Sequence, residues 1–371
     1  MKKIEFISAT RSIAILYVIA AHSLDINSVD KYTYAVFNYG RSGVFLFFLA
    51  SAFSLCYSIE KRQEGNFLFF YIRRFFRIAP LYYFAILFFF LWRHFKFFYE
   101  FTLLNDFNFQ NLNYFQFYNF NEFGFYNLKS ILSNVFFIHS FYPPANNNIV
   151  PGGWSIGAEM FFYLCFPLAF SLFYKKNIFK IIILSIVSII FYNILTKYFS
   201  HYDYLIFISK SAFLPLIPFC FGIVLYKNFE KFTISKTSNL LMFLFLAFIT
   251  TILINYYVEL QGILFVVSSI SWCFLINFLS KINYKKNILT NMFINLGNYS
   301  YSAYIFHFFI LDLINHLFVK KMELYLNNYF LLIATYFMAI IFTFFIAKIS
   351  ANSIEKYGIL FGKKIINKIK N

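Results

Sequence analysis

Long apolar runs separated by short polar segments set the pattern of this chain. Ten of them are long enough, or nearly so, to cross the roughly 30 Å hydrocarbon core of a bilayer as helices. They are 8–24, 42–59, 78–93, 154–174, 178–197, 204–226, 238–256, 261–280, 297–318 and 329–349. An eleventh apolar piece, 128–141, contains Asn134 and His139 and stops at Pro143-Pro144. It is short, and the pattern predicts a re-entrant or interfacial segment inside a long outer loop, 94–153. The expected fold class is all-α: one polytopic membrane helical bundle of about ten transmembrane helices over 1–371. Neither an internal repeat nor an appended soluble domain is visible.

Composition agrees and excludes other classes. The chain is 61% hydrophobic, 25% aromatic and only 13% charged, so domain counting by length does not apply. The net charge of +17 would fit a nucleic-acid binder, but the basic residues fall in short loops between apolar runs. With the N-terminus inside, 22 of the 32 lie on the inner side and 8 on the outer, which predicts cytoplasmic termini. Making 128–141 a full span would erase much of that bias. Cys56, Cys165, Cys220 and Cys273 sit in apolar segments without metal-ligand spacing, so neither a disulfide framework nor a metal is expected. Lys2 and Lys3 before an apolar stretch imitate a signal peptide, but Arg11 interrupts that stretch and Ala20-Ala21-His22 is a weak cleavage site.

The first run holds the most informative pair. Arg11 and His22 are separated by ten residues with no charge among them. Eleven steps of about 100° are three turns plus roughly 20°, so both face one way, roughly 16 Å apart. Ionisable groups inside a membrane are costly and mark functional sites by default. An imidazole near the outer end suits a general base or a nucleophile. Glu159, in Trp154-Ser155-Ile156-Gly157-Ala158-Glu159, enters the membrane from outside to a similar depth and is expected to orient His22. A carboxylate snorkelling to the interface is the structural alternative.

Arg73, Arg74 and Arg77 precede Ile78-Ala79-Pro80. If the third helix begins there, its free amides face the cytoplasm beside guanidinium forks, and Pro80 is tolerated in the first turn. That combination suits phosphates; ordinary positive-inside arginines are the alternative. The stretch from Gly297 to His307 is rich in hydroxyls, with Tyr301 and His307 as candidates for a polar path and plain interhelical packing as the alternative. Lys210 and Asp312 are further charges within apolar runs, with structural ion pairing as the bland reading.

Together these segments resemble the acyltransferase 3 family, integral membrane enzymes that O-acylate bacterial surface carbohydrates. Arg11 and His22 match its Arg-x10-His pattern, and Gly43-Val44-Phe45-Leu46-Phe47-Phe48-Leu49-Ala50-Ser51-Ala52-Phe53 resembles its GV-x-LFF-x-x-SGF run. Arg73 to Pro80 resembles its arginine-rich junction, Trp154 to Glu159 its WSLSxE motif, and Gly297 to His307 its late G-x-x-SY-x-x-Y-x-x-H stretch. Ala52 stands where the family usually has Gly, and Gly157 where it usually has Ser. Neither change removes a titratable group.

The resemblance implies a bacterial inner-membrane enzyme using acyl-CoA, usually acetyl-CoA, from the cytoplasmic side. The acceptor would be a hydroxyl of a surface glycan, such as lipopolysaccharide or another polysaccharide, or of its lipid-linked precursor. On this reading Arg11, Arg73, Arg74 and Arg77 hold the donor. His22 acts on the acceptor or carries the acyl group, and Glu159 orients it. Trp154, Ser155, Lys210, Tyr301 and His307 line the path between. The alternative is a transporter or flippase for a lipid-linked saccharide, against which stands the lack of repeated halves.

Overall fold

A computed structural model of the chain describes residues 2–62, 67–103, 126–174, 210–256, 260–285 and 287–370, with scattered positions between 180 and 194. Among these residues there is no strand, and the protein is an all-α polytopic membrane bundle. Its helices are α1 (Lys2–Ser23), α2 (Lys31–Asn38), α3 (Gly43–Arg62), α4 (Phe67–Leu103), α5 (Leu128–Val135), α6 (Gly153–Tyr174) and α7 (Leu216–Asn228). They continue with α8 (Lys236–Tyr256), α9 (Gln261–Ser280), α10 (Ile288–Asn298), α11 (Ser300–Ile314), α12 (Asn328–Ser350) and α13 (Lys356–Lys370).

Eight helical stretches among the described residues are long and apolar enough to cross a membrane. They correspond to eight of the ten apolar runs. The run 178–197 lies outside the described residues apart from scattered positions, as does 204–209 of the run 204–226, whose remainder contains α7. The piece 128–141 forms only the eight-residue α5 followed by tight turns, too short to span. Its polar face is packed inward while Leu128, Leu132, Phe136 and Ile138 are exposed: Ser130, Ser133, Asn134 and His139 are buried, and α4 holds it through Tyr82 to Asn134 Oδ1 (2.7 Å) and Tyr83 to the Val135 carbonyl (2.9 Å).

Local chemistry starts several helices. Asp30 accepts from the backbone amides of Tyr32 and Thr33 at the head of α2, and Asn127, Asn287 and Asn327 cap α5, α10 and α12 in the same way. The Thr33 hydroxyl above all, with those amides and the Tyr329 hydroxyl, holds the Asp30 carboxyl down at about 2. Other boundaries depart from the hydropathy pattern. The third span begins not at 78 but at Phe67, because Arg73, Arg74 and Arg77 continue a helix that apolar residues start earlier. The run 297–318 is broken at Tyr299, where α10 ends and α11 begins.

The core is the set of helices around α1, which packs against α3, α10 and α11. Ser8 donates to Asn298 Oδ1 at 2.7 Å, and Ser12 donates to the Phe293 carbonyl. Gly297 lets α10 come this close: a Cβ there would lie 1.8 Å from the Ser8 carbonyl oxygen. A π-bulge, Ala351–Glu355, joins α12 to α13 and turns Glu355 inward onto Ser302. The α13 helix returns along α4, with Phe361 packed on Phe76.

Candidate active site

Five helices contribute to a cavity of about 60 Å³ inside the bundle. Arg11 comes from α1, Phe47, Phe48 and Ser51 from α3, Arg77 from α4, Ser155, Glu159 and Tyr163 from α6, and Tyr301 and Tyr304 from α11. All five sequence patterns singled out above therefore place a charged or hydroxyl side chain in one small volume, the GV-x-LFF run through Ser51. The space accommodates a few waters or a small polar group, not a whole nucleotide.

A hydrogen-bonded chain organises it. Arg11 Nη2 donates to Ser54 Oγ at 3.0 Å, and Ser54 Oγ donates to the Ser51 carbonyl at 2.9 Å. Ser51 Oγ donates to Glu159 Oε1 at 2.7 Å, and the Tyr163 hydroxyl donates to the same oxygen. The charged groups acting on Arg11 are Arg77, Glu159 and Arg74, and those acting on Glu355 are Arg77 and Arg11. Two carboxylates thus flank a cluster of three guanidinium groups, an arrangement that keeps buried charge balanced.

The other cavity side chains are held by backbone. Tyr301 donates to the Ile78 carbonyl at 2.8 Å. Tyr304 donates to the Gly152 carbonyl at 3.2 Å and accepts from Ser155 Oγ at 2.9 Å. Trp154 stands edge-on to Phe48 in the first turn of α6. Arg74 lies over the rings of Phe70 and Tyr163, 5.8 Å from each centroid, a cation–π arrangement. Arg73 is half-buried and is not among the residues lining the cavity.

Two expectations from the sequence need correction. The arginines do not sit at a helix N-terminus. They occupy the second and third turns of α4, where backbone amides already bond to carbonyls one turn earlier, and Pro80 lies well inside the helix. Their guanidinium groups, not helix-terminal amides, are what this part of α4 offers an anion. Nor does Glu159 orient His22. Its carboxylate is taken up by Ser51 and Tyr163 beside Arg11, whereas His22 Nδ1 lies 2.7 Å from Asp25 Oδ2, one turn beyond α1.

His22 therefore belongs to a second cluster, at the far end of α1 from Lys2. Arg41 Nη2 donates to the other oxygen of Asp25 at 3.2 Å, and Lys210 also acts on this carboxylate. Burial alone would push the Asp25 carboxyl up, but the hydrogen bond from His22 and the charges of His22, Arg41 and Lys210 hold it below its usual value. An ionised carboxylate only accepts, so Nδ1 of His22 carries a hydrogen, and in the neutral ring Nε2 offers the lone pair. His307 is buried beside it, ring centroids 5.4 Å apart, with Phe308 against both. Asp312 is not the partner of Lys210: it binds Lys96 at 2.9 Å and Trp92 Nε1 at 2.8 Å.

Sequence reasoning missed Asp25, Ser51, Ser54, Tyr163 and Glu355 as members of these clusters. The His-x-x-Asp spacing was a readable signal for the first, since residues three apart at a helix end share a face. Ser51 stands inside the GV-x-LFF run but carries no charge, Tyr163 lies one turn past the Trp154–Glu159 motif, and Glu355 lies beyond them all.

Among the described residues no group of histidine, cysteine and carboxylate side chains could hold a metal ion. A family model described as an acyltransferase domain matches residues 4–349, which span both clusters except Glu355. No curated protein and no solved structure matches the chain.

Proposed function

The chain belongs to the acyltransferase 3 family, and from that premise we propose that it is an O-acetyltransferase of the bacterial inner membrane. It takes the acetyl group of acetyl-CoA from the cytoplasmic side and moves it to a hydroxyl of a surface glycan or its lipid-linked precursor. The observation that carries this reading is that a single helix, α1, joins two polar clusters across the bundle. Arg11 faces a cavity shared with Arg77 and Glu159, and His22 meets Asp25 at the far end.

The distribution of basic residues supports one orientation, with the Lys2 end cytoplasmic and the His22 end facing out. Arg77, Arg74 and Arg11 form the cationic cluster nearer the cytoplasm and hold the donor, with Arg73 at its margin. Glu159 and Glu355 keep that cluster balanced before the donor arrives. On this proposal the long, thin pantetheine arm is the part of the donor that runs past Ser155, Trp154, Tyr301 and Tyr304. Lys210 supports the outer cluster through Asp25.

His22 Nε2 takes the proton of the acceptor hydroxyl as its oxygen bonds to the acyl carbon. The carbon–sulfur bond breaks and the CoA thiolate takes up a proton. Asp25, held by Arg41, stabilises the imidazolium that forms between these events. An acyl-histidine intermediate would use the same Nε2 as nucleophile, with the ester formed in a second step and the same overall balance.

The test is mass spectrometry of surface glycans from cells with and without the gene, together with CoA binding to the purified protein. Loss of one acetyl mass per repeat and measurable CoA binding are expected. Unchanged glycans, or a protein that ignores CoA, would overturn the proposal.

A further inference from the structure

His307 carries a buried nitrogen without a partner. Its Nδ1 lies 2.6 Å from the Tyr304 carbonyl oxygen, and a carbonyl only accepts, so Nδ1 bears the hydrogen. Nε2 of this ring is then a lone pair, and it makes no hydrogen bond although the residue is fully buried. Buried polar atoms are nearly always satisfied, and an orphan beside a cluster of chemically active groups marks the place of an absent donor. The ring beside it is that of His22, whose Nδ1 is occupied by Asp25 and whose Nε2, in the neutral form that can act as a base, is also a lone pair. Phe308 packs against both rings, at 4.4 Å from His22 and 4.2 Å from His307.

Two adjoining imidazoles thus each lack one hydrogen-bond donor, over one aromatic surface. A single hydroxyl has one hydrogen and satisfies one of them. We infer that His307 is a specificity-determining residue for the acceptor, which presents two neighbouring hydroxyls, one to His22 Nε2 and the other to His307 Nε2. The acceptor is therefore a vicinal diol, the arrangement that sugar rings carry, and Phe308 meets its C–H face. This deepens the acyl-transfer reading and rests on it. Only the hydroxyl at His22 loses its proton and becomes the ester oxygen; the hydroxyl at His307 keeps its hydrogen throughout and serves to position its neighbour.

The test uses the purified protein in lipid nanodiscs, acetyl-CoA as donor, and as acceptor the surface glycan isolated from cells lacking this chain. His307→Phe removes the acceptor nitrogen while keeping an aromatic ring. The KM for the glycan is expected to rise about tenfold or more, with the KM for acetyl-CoA unchanged, as for the loss of one buried hydrogen bond. His307→Gln, whose amide oxygen still accepts, is expected to stay within about threefold of wild type. NMR of the product should place the acetyl group on a carbon whose neighbour bears a free hydroxyl. An unchanged glycan KM in His307→Phe, equal losses in both variants with the donor KM also altered, or an acetyl group with no adjacent hydroxyl would each overturn the inference. If His307→Phe does not fold, the glutamine variant and the position of the acetyl group still decide. A wild-type protein that transfers nothing to the glycan would sink the acyl-transfer reading itself, an outcome distinct from these.

Discussion

His22 Nδ1 and Asp25 Oδ2 are 2.7 Å apart, three residues from each other at the end of the first membrane helix. The contact decides which ring nitrogen is free, and so decides what the histidine can do. With Asp25 accepting at Nδ1, Nε2 is left as a base or nucleophile, the same division of labour that a carboxylate imposes on histidine in hydrolase triads.

Replacing Asp25 by Asn keeps the size and removes the charge. The amide can present its NH2 group to Nδ1 and favour the wrong tautomer. The rate of transfer at saturating substrates is expected to fall by about 10² to 10⁴, with the KM for acetyl-CoA unchanged. Steady-state kinetics of Asp25→Asn in nanodiscs checks this, and wild-type turnover would remove Asp25 from the mechanism.

Arg77 and Arg73 provide a contrast within one helix. Arg77 lines the cavity with Arg11 and Glu159, whereas Arg73 does not. Arg77→Ala is expected to raise the KM for acetyl-CoA by about tenfold or more, the cost of losing a charge-assisted contact, with a smaller effect for Arg73→Ala. Equal, negligible effects would leave both arginines a purely topological role.

Gly157 occupies the place where related sequences usually have Ser, and the packing explains the departure. A Cβ at this position would lie 2.2 Å from Ser140 Oγ and 2.8 Å from His139 Nε2. Gly157→Ser should therefore destabilise the protein by roughly 1–3 kcal/mol, as overpacking does, and Ser140→Gly should recover part of that loss. Thermal unfolding in nanodiscs measures both; a Gly157→Ser protein of normal stability would show that the turn gives way freely.

The same turn carries a pH-sensitive group outside the spanning helices. His139 Nε2 donates to the Gly153 carbonyl at 2.9 Å, tying the turn to the start of α6, and burial pushes its imidazole down to about 4. The unfolded chain binds a proton near the ordinary value of roughly 6.5, so acidification favours unfolding. The stability that neutral His139 contributes is fully present above pH 6.5 and declines as pH falls toward 4, by at most roughly 3 kcal/mol. His139→Gln is expected to flatten the dependence of the unfolding temperature on pH over this window. An unchanged slope would assign the dependence to other groups.

Much of the architecture was legible in the sequence because lipid-facing and buried helices are both apolar, and runs of about twenty residues leave few alternatives. Boundaries were less legible. Arg73, Arg74 and Arg77 lower the hydropathy of α4 and hid its first three turns, and hydropathy does not register the break at Tyr299 between two helical stretches. Within the site, charge made Arg11, Arg77 and Glu159 visible, and helical spacing put His22 on the face of Arg11. What the spacing could not supply was partnership. Depth alone suggested Glu159 for His22, but Ser51 and Tyr163 offer that carboxylate two hydroxyl donors, while Asp25 reaches the imidazole from only one turn away.

The central claim is that His22 performs acyl transfer fed from the arginine-lined cavity. It is tested most directly by following labelled acetyl from acetyl-CoA into surface glycan, using membranes that contain wild-type protein or His22→Ala at equal abundance. Transfer by His22→Ala is expected to fall by at least about 10²-fold while CoA binding persists, since the donor cluster is untouched. Full retention of transfer by His22→Ala would contradict the account.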